Sequence, residues 1–303
     1  MIRLLMILLG LGLVHTLPGQ SEKLYRAQIL LKSKTPANID QAVFTIDSVI
    51  HHPSTNKDFT AWSTRAAIYY EIYKRNDKFK LNSWLRDTVI SSVHVSNSLK
   101  PDSSTSVYNN TLLTSLAKGY YNISVKLLQD SLDHDRSYIA YQRYKAMYKD
   151  LVPNFDFKSQ DILYYLFTST VYNDKYAKDS SVKSLEVSKY AYRKVLDLEP
   201  ENRNANMGLG LLHYNEAVVL SKQLEFGADL DQIEAVQDNM VKLAKESEHY
   251  ILVVYNKDKN DSKAVEALYY IYRMLLDKPK HEDFKKKCSD LGIIVNEEKA
   301  SGG

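Results

Sequence analysis

Several short stretches of this chain carry residue types that could do chemistry. Cys288 stands beside Lys285, Lys286 and Lys287, cations that lower a thiol's pKa and favour a nucleophile. The alternative is a small apolar residue on the last helix. His51 and His52 are neighbours just before Pro53. Adjacent side chains diverge by about 100° on a helix, so the pair reads as a solvated helix end rather than a shared metal site. Asn256-Lys257-Asp258-Lys259-Asn260-Asp261 resembles the start of a calcium loop. Its turn position holds Asp261 where Gly is needed, and Ala267 stands where a bidentate Glu is needed, so it reads as a polar interhelix loop. Gly208-Leu209-Gly210 lacks the third glycine and the preceding strand of a dinucleotide loop. Asp133-His134-Asp135 reads as the acidic start of a helix. No Gly-x-Ser-x-Gly, His-Glu-x-x-His, phosphate loop or cysteine pair occurs. These readings assign no catalytic residue, no metal ligand and no cofactor.

The elements that would position side chains are helices. Alternating strand patterns are scarce, whereas apolar residues recur at offsets of three and four throughout. Ala42, Ile46, Val49 and Ile50 form one stripe; Ile233, Val236, Met240, Leu243, Tyr250 and Ile251 form another. Pro53, Pro101, Pro153, Pro200 and Pro279 read as stops, and Asp40, Ser104, Ser159 and Asp231 as N-caps. The pattern predicts an all-α chain of about twelve helices, with a longer connection around Gly227. Charge is nearly balanced, 40 Lys+Arg against 37 Asp+Glu, which weakens a reading as a nucleic-acid coat or a polybasic membrane binder. Tyrosines number 23 against 8 Phe, so much of the aromatic surface carries a polar tip.

Residues 1–19 read as an export signal: Arg3, then an apolar run over Leu4–Val14, then Pro18 and Gly19 as helix breakers. Eleven apolar residues are too few to span a bilayer. Cleavage near Gly19 would leave Gln20 as the mature N-terminus, with no transmembrane segment remaining. The single cysteine permits no internal disulfide, which fits a bacterial periplasm better than a eukaryotic secretory route. The expected organisation is a signal at 1–19, one helical domain over 20–295 and a disordered tail over 296–303.

One window recurs at irregular intervals of roughly 40–60 residues. An apolar or aromatic residue is followed by residues three, four and seven positions on, the fourth often small. Trp62, Arg65, Ala66 and Tyr69 show it first. Leu113, Leu116, Ala117 and Tyr120 follow, then Tyr165, Thr168, Ser169 and Tyr172. Asn206, Leu209, Gly210 and His213 come next, and Val265, Leu268, Tyr269 and Tyr272 last. These offsets place the residues on one helix face, where the small residue lets a second helix cross closely. The expected repeat core is Trp62, Ala66, Tyr69, Ala117, Tyr120, Tyr165, Tyr172, Leu209, Gly210, His213, Leu268 and Tyr272.

The window resembles the first helix of a tetratricopeptide repeat (TPR), whose pattern has Trp, Leu-Gly and Tyr at these offsets. The stretch from Leu196 through Pro200 to Gly210 carries the likeness best, with Asn206 in place of the Trp and His213 in place of the Tyr. The resemblance implies an irregular TPR-like α-solenoid of about six helix pairs. The layout is also similar to exported repeat proteins of Bacteroidota: Gln20 after the signal, a long helix over Asp231–Tyr255, then Leu268–Tyr272 and a Lys/Glu-rich helix over His281–Leu291. Such proteins are mostly binding scaffolds, which implies a non-enzymatic protein that holds a protein or peptide, with no nucleic-acid partner.

A concave groove lined by the first helices would take its walls from positions next to the window. Those expected are Tyr70, Lys118, Tyr121, Asn173, Leu211, Tyr214, Tyr270 and Arg273. Tyr70, Tyr121 and Tyr214 share one repeat position, and tyrosine gives apolar area plus a hydrogen bond at low entropy cost. The competing reading packs these tyrosines between repeats, and periodicity alone does not separate the two faces. The alternative function is a helical small-ligand or carbohydrate-binding protein linked to outer-membrane nutrient uptake.

Overall fold

The computed structural model describes residues 19–222 and 229–296. The signal-peptide reading, the Gly227 connection and the tail beyond Asn296 therefore lie outside the described residues. Among those described, the chain is all-α, with twelve helices that pack as consecutive pairs. That is the pairing a TPR-like chain requires, and it matches the six pairs expected. The chain falls into two compact units.

The first unit runs to Lys126 and includes Asp135–Phe155. It contains α1 (Gln20–Ser33), α2 (Pro36–Ile50), α3 (Phe59–Asn76), α4 (Trp84–Ser98), most of α5 (Ser103–Ser131) and nearly all of α6 (His134–Leu151). Helix α2 starts because Thr35 accepts a hydrogen bond from the Asn38 amide and Pro36 presets the first turn. Its Ile39, Ala42, Ile46, Val49 and Ile50 then face α1 and α3 in one core. A second core joins Ala66, Tyr69 and Tyr73 of α3 to Val89 of α4 and Leu112, Leu113 and Leu116 of α5. A buried polar chain stitches the same three helices: Ser63 donates to Asn109, and Asn109 donates to Ser96 and Asn97. Ring packing of Tyr121 on Tyr141 and Tyr144 pairs α5 with α6.

The second unit comprises Leu127–His134 and the residues from Asp156 on. It holds α7 (Lys158–Asp179), α8 (Val182–Leu198), α9 (Arg203–Ser221), α10 (Leu230–Lys257), α11 (Ser262–Met274) and α12 (Lys278–Asp290). Helices α9, α10 and α11 pack on one another, and α12 closes on α11. Their core contains Met207, Ile251, Val254, Leu268, Tyr272, Phe284 and Cys288. On α10 only Ala244, Ser247, Ile251 and Val254 are buried; the upstream Ile233, Val236, Met240 and Leu243 are half-buried.

The expected caps are displaced. Asp40 lies inside α2, and Ser104 and Ser159 lie inside the first turns of α5 and α7. The capping oxygens belong to Asp102 for α5 and Asp229 for α10. Pro279 opens α12 rather than ending a helix. Among the described residues, Lys34, Lys100, Leu132, Ser180 and Leu276 adopt the left-handed region at φ between 51° and 55°.

Candidate functional site: the faces of the first helices

All five recurring windows fall on the first helix of a pair: α3, α5, α7, α9 and α11. Ala66, Tyr69, Ala117, Tyr120, Tyr165, Tyr172, Leu209, Gly210, His213, Leu268 and Tyr272 are all buried, and Trp62 is half-buried. Trp62 stays at the edge because its indole N–H donates to the Asn56 carbonyl at 2.8 Å.

Gly208 and Gly210 show why α9 needs small residues. A Cβ on Gly208 would lie 2.2 Å from Cζ of Tyr192 on α8. A Cβ on Gly210 would lie 2.7 Å from Cδ1 of Ile251 on α10, and 3.3 Å from the Ser247 carbonyl oxygen. The two glycines serve the helices before and after α9, and Ser247 Oγ donates to the Gly210 carbonyl at 2.8 Å. The Gly-Leu-Gly sequence is thus a double helix crossing.

His213 replaces the aromatic of its window and keeps an aromatic's role. Its ring stacks on Tyr250 of α10, with centroids 5.9 Å apart and planes 5° apart. Burial, with the cations of Lys189 and Arg193 nearby, pulls its pKa down to about 4, so it is neutral at pH 7. Glu246 Oε2 lies 3.1 Å from Nδ1, and burial outweighs it. Beside it, buried Lys189 on α8 pairs with Glu216 on α9 at 2.5 Å. Both pairings tie successive helices together.

The expected wall residues lie one position beyond core residues of each window, about 100° round the helix. Lys118 is exposed, Leu211 is 36% exposed, and Tyr70, Tyr121, Asn173, Tyr214, Tyr270 and Arg273 are half-buried. The Tyr70 ring lies tilted by 33° to that of Tyr73, with centroids 6.2 Å apart, and Lys74 stands over its ring. Burial raises the hydroxyl pKa of Tyr121 and of Tyr214. These tyrosines sit between the two readings: one ring edge packs inside the unit and the other meets solvent.

The remaining chemical candidates resolve into structural roles. Cys288 is fully buried, and burial raises its pKa, so the neighbouring lysines do not activate it. Asp261 caps α11 and holds Arg203 through two hydrogen bonds, at 2.6 and 3.0 Å. The His51 ring bonds the Asp47 carbonyl and the His52 ring bonds Ser54, each on its own. Among the described residues no group of three or more His, Cys, Asp or Glu converges on a metal-sized site, and no helix is long and apolar enough to cross a membrane.

Sequence reasoning missed the exposed aromatics of the second helices. Phe44 on α2 is 80% exposed, and Trp84 on α4 is 66% exposed with its ring edge-on to Tyr69. Tyr25, Ile29 and Phe44 line a depression of about 500 Å³ on α1 and α2. The sign was available for Phe44: it lies about 200° round the helix from Ala42, on the polar side of the stripe.

No family model matches the chain, and no curated protein matches it. Among solved structures, a monomeric mutant of IFIT1 with Gppp-AAAA is similar at 15% identity and a TM-score of 0.35, covering 92% of this chain and 51% of that one. The human IFIT1 dimer with m7Gppp-AAAA is similar at 14% identity and a TM-score of 0.36, over 91% and 51%. PilW, described as a widely conserved type IV pilus biogenesis factor, is similar at 14% identity and a TM-score of 0.34, over 90% and 94%. The chain spans about half the length of the IFIT1 chains. At such identities and scores these likenesses assign neither a partner nor a role.

Proposed function

We propose that the protein is an exported, non-enzymatic scaffold that holds a protein or peptide partner against the first helices of its pairs. The observation that carries this reading is a tyrosine that recurs at one repeat position. Tyr70, Tyr121 and Tyr214 occupy one repeat position on α3, α5 and α9, and each is half-buried. A tyrosine fixed along one edge loses little entropy when a partner covers the other edge. Lys118 and Leu211, each one residue past the small residue of its own window, are exposed. Export rests on residues 1–19, the periplasm on these together with the single cysteine, and a lineage such as Bacteroidota on the layout of Gln20, Asp231–Tyr255, Leu268–Tyr272 and His281–Leu291.

The test is a pull-down from periplasmic extract with the mature protein, followed by affinity measurement on Tyr70→Ala, Tyr121→Ala and Tyr214→Ala singly. Each should weaken the captured partner by roughly ten-fold or more. Unchanged affinity in all three would refute the face. Intact mass of the exported protein should start near Gln20; a retained Met1 in the periplasmic fraction would refute cleavage. A second reading, carbohydrate binding, is favoured by one observation: Trp84 offers a 66% exposed ring able to stack on a sugar. Glycan-array signal that Trp84→Ala abolishes would support it over the scaffold.

A further inference from the structure

The chain does not simply run off the end of α12. Leu291 closes the helix, and Gly292 follows at φ 69°, a left-handed position that glycine takes without strain. The Ile293 amide donates back to the Cys288 carbonyl at 2.8 Å, and the Gly292 amide to the Ser289 carbonyl at 3.0 Å. This double closure fixes the direction in which the chain leaves the helix. Residues 293–296 then run without helical structure, and their side chains alternate in surroundings. Ile293 and Val295 pack against the core that holds Leu268, Tyr269 and Tyr272 of α11, whereas Ile294 between them is 95% exposed. The Asn296 amide donates to the Tyr270 hydroxyl at 3.1 Å.

That contact falls on a wall residue of the proposed partner face. Tyr270 lies one position beyond the core residue Tyr269 of its window. Tyr214 of α9 packs against the same core, and its hydroxyl feels the Tyr270 phenol. Side chains that alternate between a core and solvent, with a main-chain amide on a tyrosine hydroxyl, are the contacts of an extended bound segment. Yet this segment belongs to the chain itself. Its anchors Ile293 and Val295 are only half-buried, so it opens more readily than the helices beneath it.

We propose that residues 293–296 form an autoinhibitory strap: the chain's own C-terminal segment fills the α11 end of the partner face, and an extended partner segment with alternating β-branched residues displaces it. The proposal rests on the scaffold reading above and adds the form of the partner segment and a control on its access.

The probe is a fluorescein-labelled heptapeptide with the strap's own sequence, Gly-Ile-Ile-Val-Asn-Glu-Glu (residues 292–298), read by anisotropy against the mature protein. Two variants lift the strap by different means. Ile293→Ser/Val295→Ser removes the anchors. Gly292→Val keeps them and puts a β-branched residue at positive φ, where a Cβ meets nothing within 4 Å, so it strains the turn and touches no core side chain. Both variants should bind the peptide saturably and at least ten-fold tighter than wild type, whose seat is filled. A peptide with Ser at both anchor positions should not bind. Adding Tyr270→Phe to Gly292→Val should weaken the peptide by about 2- to 10-fold, for one lost hydrogen bond. Equal binding by wild type and Gly292→Val, or no binding by either, overturns the strap while leaving the scaffold reading standing. For a partner captured by pull-down, Gly292→Val should raise affinity about five-fold or more, with the free heptapeptide competing; unchanged affinity overturns the inhibitory role. If no partner is captured, the scaffold reading is what fails, and the peptide titrations alone decide whether residues 293–296 fill a seat that another segment can take.

Discussion

Gly210 offers the sharpest mechanical test of the helix pairing. A methyl group there would sit 2.7 Å from Cδ1 and 2.8 Å from Cγ1 of Ile251, which is fully buried, and 3.3 Å from the Ser247 carbonyl oxygen. Ordinary carbon contacts lie near 3.5–4.0 Å, so either Ile251 or α10 must give by roughly 1 Å. Overpacking of this kind costs about 1–3 kcal/mol, and replacing an interior helical Gly by Ala returns about 1 kcal/mol of propensity. Gly210→Ala should therefore be destabilising by roughly 0–2 kcal/mol. Gly210→Leu, with three more heavy atoms and no space, should exceed about 3 kcal/mol. The decisive variant is the pair Gly210→Ala with Ile251→Ala, because alanine lacks both the Cδ1 and the Cγ1 that the new methyl meets. Ile251→Ala alone costs about 2–5 kcal/mol. In the pair the two costs should cancel in part, with a coupling of about 1 kcal/mol by urea unfolding in a double-mutant cycle. Strict additivity, or a wild-type midpoint for Gly210→Leu, would refute the α9–α10 crossing as the reason for the glycine.

Three further outcomes follow from the same packing. His213 has a folded-state pKa of about 4 against an ordinary 6.5, so the unfolded chain binds the extra proton first. The stability this supplies is complete above pH 6.5 and lost as pH falls toward 4, on the order of 2–3 kcal/mol; the loss between those pH values should flatten in His213→Phe, and an unchanged slope would refute it. Arg86→Ala should destabilise by about 3–5 kcal/mol in thermal melts, since it strands the Lys80 and Leu81 carbonyls and removes a cation packed 4.2 Å from the Tyr120 ring centroid. Leu276→Gly should raise stability by roughly 0.5–1 kcal/mol, because Leu276 is 83% exposed and holds φ at 55°; a lower midpoint would contradict the strain.

Much of this arrangement could be read in the sequence, because helical periodicity encodes burial directly. Offsets of three, four and seven identified one face of α3, α5, α7, α9 and α11 before any pairing was known. Helix starts were harder. Asp40 and Asp231 have the right chemistry for a cap, but Thr35 and Asp229 make the bonds, because many polar residues precede each apolar run. The ambiguity of the tyrosines was physical as well. Tyr121 packs on Tyr141 and Tyr144 across α6, a contact between residues about 20 apart whose geometry no single-helix periodicity contains. The seating of Asn296 on Tyr270 was equally out of reach, since a contact between residues 26 apart is a property of three-dimensional surroundings.

The central claim is that partners meet the first helices of the pairs rather than the second. A photoreactive benzophenone side chain can be placed at Lys118 or Leu211 on α5 and α9, and separately at Phe44 or Trp84 on α2 and α4. All four side chains are solvent-accessible, so none of the replacements opens a core cavity. After irradiation of producing cells, the expected result is one shared adduct from positions 118 and 211, competed by the unlabelled wild-type protein, and none from positions 44 and 84. The same adduct from 44 and 84 alone would contradict the claim and move recognition to the second helices.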